Sequence, residues 1–74
     1  MAMDEATKAQ YEIRIRGELG ETLLAGFPGF DAMRRGGETV LAGMSDQAAL
    51  FGVLTQIEAL GLELLEVRRE RQHG

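Results

Sequence analysis

The chain has 74 residues, 45% of them hydrophobic and 27% charged, the balance of one small globular domain rather than of a disordered segment. A core this small only just offsets conformational entropy, so a second domain does not fit and self-association or a partner is a natural supplement. The formal net charge of -4 and pI near 4.8 argue against nucleic acid and anionic membranes as partners, since both select a positive field.

Cysteine is absent, which excludes a disulfide framework, a thiolate metal site and a thiol nucleophile, and fits a cytoplasmic protein. The opening MAMDEATKAQ is polar and acidic and reads as an N-terminal tail over residues 1–10. It has no targeting pattern, and no apolar run nears the roughly 20 residues that cross a bilayer. The domain is then residues 11–69, followed by a C-terminal tail over residues 70–74.

Within residues 11–19, YEIRIRGEL, the apolar Tyr11, Ile13, Ile15 and Leu19 alternate with Glu12, Arg14, Arg16 and Glu18, which predicts a half-buried strand. Gly17 inside it predicts a bulge or the close approach of another element. The following GETLLAGFPGF holds Leu23, Leu24 and Phe27 among glycines, with Pro28 biasing Phe27 away from helix, so a helical turn or two is its limit. Residues 30–35 and 38–44 flank Gly36 and Gly37 and predict a hairpin. Its facing stays open, because Val40, Leu41, Ala42 and Met44 are apolar on both parities.

The stretch SDQAALFGVLTQIEALG predicts the main helix. Ser45 is the expected N-cap, Asp46 and Gln47 suit the first turn, and Gly61 marks the stop. Leu50, Val53, Leu54, Ile57 and Leu60 form one apolar stripe, and Gly52 within it, costing about 1 kcal/mol against alanine, predicts close packing. The final LELLEVRRE alternates Leu65 and Val67 with Glu66 and Arg68, a last strand.

The order is that of a compact α+β domain, a ferredoxin-like βαββαβ plan with a short or degenerate first helix, or βββαβ if that helix is absent. In the first plan the first and last strands are antiparallel neighbours. A register with Ile13 opposite Val67 and Ile15 opposite Leu65 then keeps four apolar residues on the helix side. It also sets Arg14 against Glu66 and Glu12 against Arg68 on a charged free face.

These residues carry a resemblance. YEIRIRGEL, GGETVLAG and DQAALFGVLTQIEALGLELLEVRR resemble a group of short uncharacterised proteins, frequent in actinobacteria, sharing a DQAAL-x-G-L-L-x-x-I-x-x-L-G-L-x-L-L-x-V pattern. The likeness spans most of residues 11–69 and is most specific from Asp46 to Val67. It implies a small α/β sandwich and no assigned activity. Phe51 stands where the group usually shows His, and the first short helix lacks the group's aromatic-rich segment, so a role resting on that His does not carry over.

No set of residues composes a catalytic, cofactor or metal site. Helix capping accounts for Asp46 and Gln47. His73, the only histidine, sits in the expected tail without ligating partners at useful spacing. Gly17, Gly20, Gly26 and Gly29 lack the phosphate-loop spacing and read as turns. Arg34, Arg35, Arg68, Arg69 and Arg71 suggest a basic patch, but an RNA-reading sheet needs exposed aromatics where this first strand offers Glu12, Arg14, Arg16 and Glu18. The expected function is a non-enzymatic protein-interaction or regulatory module, a homodimer or the binder of a protein partner. The alternative is a small-molecule-binding or enzymatic α+β barrel-like dimer, which needs an apolar free face bearing a few polar groups.

Overall fold

The computed structural model describes residues 8–70. Its elements are β1 (Ala9–Arg16), α1 (Glu21–Leu24), β2 (Phe30–Arg35), β3 (Glu38–Ser45), α2 (Gln47–Ala59) and β4 (Leu64–Glu70). They build a small α+β domain. The strands form one antiparallel sheet in the order β2-β3-β1-β4, and residues of both helices pack against the core on one of its faces.

Alternation along β1 sets the two faces. Ala9, Tyr11, Ile13 and Ile15 are buried, while Arg14 and Arg16 between and beyond them are exposed. The strand starts ahead of the expected Tyr11, because Ala9 and Gln10 pair with Ser45 and Met44 of β3. The rest of the expected N-terminal tail, apart from Lys8, lies outside the described residues, as do residues 71–74 of the expected C-terminal tail. β1 also ends early, at Arg16 rather than Leu19. Gly17 turns the chain out of the strand at φ 103°, a left-handed angle that favours glycine. Neither expected role of Gly17 holds: a Cβ there would meet nothing within 4 Å, and the register of β1 with β3 runs unbroken up to Arg16, where the strand ends.

The turn after β1 is held from β3. The Thr39 hydroxyl, in a residue with no exposure, donates to the Gly17 carbonyl at 2.7 Å and accepts from the Leu19 N–H at 3.0 Å. That delivers Leu19 to the core although it is no longer in the strand. α1 is one turn, with the Leu24 N–H donating to the Gly20 carbonyl, and the chain beyond it drops Phe27 into the core at 1% exposure.

The hairpin forms where the two glycines predict it. Gly36 and Gly37 have φ of 60° and 81°, the double positive angles of a type I′ turn, and Arg35 pairs with Glu38 across them. Its facing is now fixed. Leu41 and Thr39 lie opposite Ile13 and Ile15 and are buried, so Val40, Ala42 and Met44 occupy the other face. The glycine that close approach requires is Gly43, where a Cβ would fall against the Gly29 carbonyl and Phe30 Cα as β2 begins.

The N-cap of α2 is Asp46, one residue past the expected Ser45. Pairing with Ala9 keeps Ser45 extended as the last residue of β3, and Asp46 Oδ1 accepts from the Ala49 N–H at 2.7 Å. Leu50 and Ile57 are buried, with Val53 and Leu54 half-buried beside them. Leu60 leaves the expected stripe, 42% exposed at the C-cap, and Gly61 turns the chain at φ 76°. Gly52 is exposed with nothing near its Cβ position, so no close packing explains it.

β1 and β4 pair antiparallel, with Ile13 opposite Val67, Arg14 opposite Glu66 and Glu12 opposite Arg68. The register shifts at the next step, and Ile15 opposes Leu64 instead of the expected Leu65. Leu65 is the extra residue of a bulge. The expected set of four apolar residues on the helix side is met in part: Ile13 and Ile15 are wholly buried and Val67 stands opposite Ile13, though 38% exposed on its edge strand, while the bulge takes Leu65 out of the register.

Candidate functional site

The uncovered face of the sheet presents side chains that the core does not consume. On the half formed by β1 and β4 the charges satisfy one another, except that Glu70, opposite Gln10, makes no ion pair among the described residues. Arg14 reaches Glu66 at 3.0 Å and Glu38 at 3.4 Å, Arg68 meets Glu12 at 2.7 Å, and Arg16 meets Glu63 at 2.8 Å.

The half formed by β2 and β3 differs. Here the register aligns Met33 with Val40 and Asp31 with Ala42, and Met44 follows along β3, giving an apolar strip on which Met33 is 56% exposed. Asp31 and Arg35 stand on either side of Met33 along β2 and make no ion pair among the described residues. The two halves border a shallow groove of about 370 Å³ lined by residues of all four strands. A second groove, of about 400 Å³, lies between α2 and the start of β4, lined by Phe51, Leu54, Leu62 and Leu64 among others. Phe51, 59% exposed, forms part of that apolar wall.

The residues singled out in the sequence do not converge. Asp46 caps α2 and Gln47 is its first residue. Gly17 and Gly29 serve turns at positive φ, and Gly20 is the residue before α1. Arg34 donates to the Leu19 carbonyl at 3.1 Å, Arg35 lies on the open face of the β2 edge, and Arg68 is paired with Glu12 on the opposite edge. Arg69 neighbours Arg68 but falls on the other parity of β4, opposite Tyr11. Arg71 and His73 lie outside the described residues. Thus no single basic patch forms among the described arginines. Among the described residues no His, Asp and Glu side chains cluster as a metal site, and every buried side-chain nitrogen or oxygen has a hydrogen-bond partner. No described helix is long and apolar enough to cross a membrane.

What the sequence reading missed is the apolar strip itself. Its signal was available: across a two-residue turn, Arg35 and Glu38 share a face, and with them Met33, Val40, Asp31 and Ala42. The three charges on that parity mark it as the open one and carry Met33 and Val40 out with them.

Residues 10–68 match a family described as Domain of unknown function (DUF8691). The chain belongs to that family. No curated protein and no solved structure matches it.

Proposed function

We propose that this domain is a non-enzymatic protein-interaction or regulatory module that self-associates through the uncovered side of its sheet. The observation that carries this reading is the strip of Met33, Val40, Ala42 and Met44, apolar surface on a face that no element of the described chain covers. A chain with a net charge of -4 has polar residues enough to clothe that face, as it does on the β1–β4 half, and apolar surface grouped in one place marks a contact site. The strand order and the position of each helix in the chain support a ferredoxin-like plan with a one-turn first helix. The likeness to the actinobacterial group with the DQAAL-x-G pattern accompanies this reading as a proposal of kinship.

One observation favours the alternative of a small-molecule-binding or enzymatic barrel-like dimer: the groove on the open face combines apolar Met33, Val40 and Ala42 with a border of charges. Two such faces enclosing a pocket would satisfy the need for an apolar wall with a few polar groups.

Sedimentation velocity over a range of protein concentrations tests the module reading. The sedimentation coefficient should rise with concentration toward that of a dimer, and Met33→Glu should shift that rise to higher concentration, with the thermal midpoint unchanged at concentrations where the wild type is monomeric. A wild-type chain that stays monomeric throughout would sink it.

A further inference from the structure

The two edges of the sheet are not alike. β4 is irregular, with its bulge at Leu65, and from there on carries Glu66, Arg68, Arg69 and Glu70, features that discourage another strand from adding to it. β2 pairs with β3 without any register shift, and its centre is Ala32 and Met33. An edge strand with an unbroken register and an apolar centre is open to strand addition unless something caps it.

We propose that β2 pairs antiparallel with β2 of a second copy, about a two-fold axis through Met33, to make one continuous sheet across the dimer. This rests on the self-association reading above and specifies its partner, edge and register.

The hydrogen-bonding phase of β2 follows from its hairpin. In a two-residue turn the flanking residues, Arg35 and Glu38, are a hydrogen-bonded pair, and alternation makes Met33 with Val40 and Asp31 with Ala42 the next such pairs. The main-chain groups of Ala32 and Arg34 therefore point away from β3, toward the open edge. The Phe30 N–H, on the same parity, accordingly donates to the Phe27 carbonyl rather than to β3. An added antiparallel strand must match outward groups to outward groups. Pairing Ala32 with Arg34 of the second copy does so, and by symmetry does so twice.

That register places Met33 against its own counterpart and Asp31 against the second copy's Arg35, again twice. These are the non-hydrogen-bonded positions, where facing side chains come closest. Asp31 and Arg35 are the charges on the β2–β3 half of the open face that make no ion pair among the described residues, and under this axis each meets its opposite. The neighbouring allowed registers, shifted by two residues, set Met33 against Asp31 or Arg35 and lose both charge pairs. An isologous contact requires such self-complementarity, which the order Asp31, Met33, Arg35 supplies and which a partner of another sequence would not need. The apolar strips of the two copies then lie side by side on one face.

Charge exchange tests the register. Asp31→Arg and Arg35→Asp each bring like charges together twice in a homodimer, so each should weaken dimerisation about tenfold in sedimentation equilibrium. An equimolar mixture of the two variants, and the double variant Asp31→Arg/Arg35→Asp, should both regain wild-type association. Amide hydrogen exchange supplies a readout independent of charge: the Ala32 and Arg34 amides should slow with protein concentration, while those of Met33 and Arg35 stay protected at every concentration. A dimer unaffected by either single exchange, or one in which the mixture and double variant recover nothing, overturns this register and leaves the self-association reading standing. So does a dimer that leaves the Ala32 and Arg34 amides unprotected. A wild-type chain that never dimerises overturns both.

Discussion

Ile13 and Ile15 turn toward the helices and have no exposed surface, while Arg14 and Arg16, each one residue along, stand on the open face with much of their side chains in solvent. The covered face is held by volume: Phe27, Leu41, Ile57 and the two isoleucines fill it, and one buried polar side chain, Thr39, ties the turn after β1 into place. The open face is held by pairing on one half and by nothing within the described chain on the other. One sheet thus carries two kinds of information. Its covered side specifies the fold, and its open side, where substitutions should leave the fold intact, is available to specify a partner.

The largest effect expected from breaking that contrast lies at Ile57, at 1% exposure. Ile57→Ala should cost about 2–5 kcal/mol, the range for large-to-small core changes, and in a domain this small should unfold much of the population. Leu60→Ala, in the same helical stripe by sequence but exposed at the C-cap, should stay within about 0.5 kcal/mol. Thermal and urea melts of the pair decide it, and equal losses would erase the distinction between the stripe as spaced and the stripe as buried.

Thr39→Val comes next. The substitution keeps the volume but strands the Leu19 N–H and the Gly17 carbonyl, so a loss of about 1–3 kcal/mol is expected, the cost of unmet buried polar groups. Thr39→Ser retains the hydroxyl and should recover much of that loss. Urea melts check both, and a valine variant as stable as wild type would mean that the clamp does not hold the turn.

How much of this was legible varies with the physics involved. The strand of Ile13 and Ile15 and the Gly36–Gly37 turn were readable because each depends on neighbours or on a strict period of two, and the pairing of Glu12 with Arg68 followed from matching the alternation of two strands that the expected topology makes neighbours. The cap shifted to Asp46 because Ser45 is claimed by a strand partner distant in the sequence, Ala9. The bulge at Leu65 and the need for glycine at 43 likewise arise from how separate segments meet, which periodicity does not encode. The open face was half legible. β1 displays its charges plainly, whereas β3 beyond Thr39 is apolar on both sides, and only Glu38, with Asp31 and Arg35 of β2, reveals which side is out.

The smallest effect concerns the paired half of the open face, where Arg14 stands between two carboxylates, Glu38 of β3 and Glu66 of β4. All three side chains are partly exposed, at 44%, 37% and 43%, so each contact is worth only about 0.2–1 kcal/mol. Arg14→Glu removes two attractions and creates two repulsions, and should destabilise the domain measurably but modestly. Adding Glu66→Arg restores the pair with β4 but leaves the introduced carboxylate facing Glu38, so the double variant should regain part of the loss and not all of it. A third change, Glu38→Gln, removes that repulsion without setting a second arginine opposite Arg35, and should bring stability closer to wild type. High salt should shrink every difference in the series, because exposed pairs are screened. Full recovery in the Arg14→Glu/Glu66→Arg variant would show that Glu38 contributes nothing at 3.4 Å, and no recovery at any step would mean that charge does not set this register. Recovery in stages would place Arg14 as the charge that ties β1 to both of its neighbours.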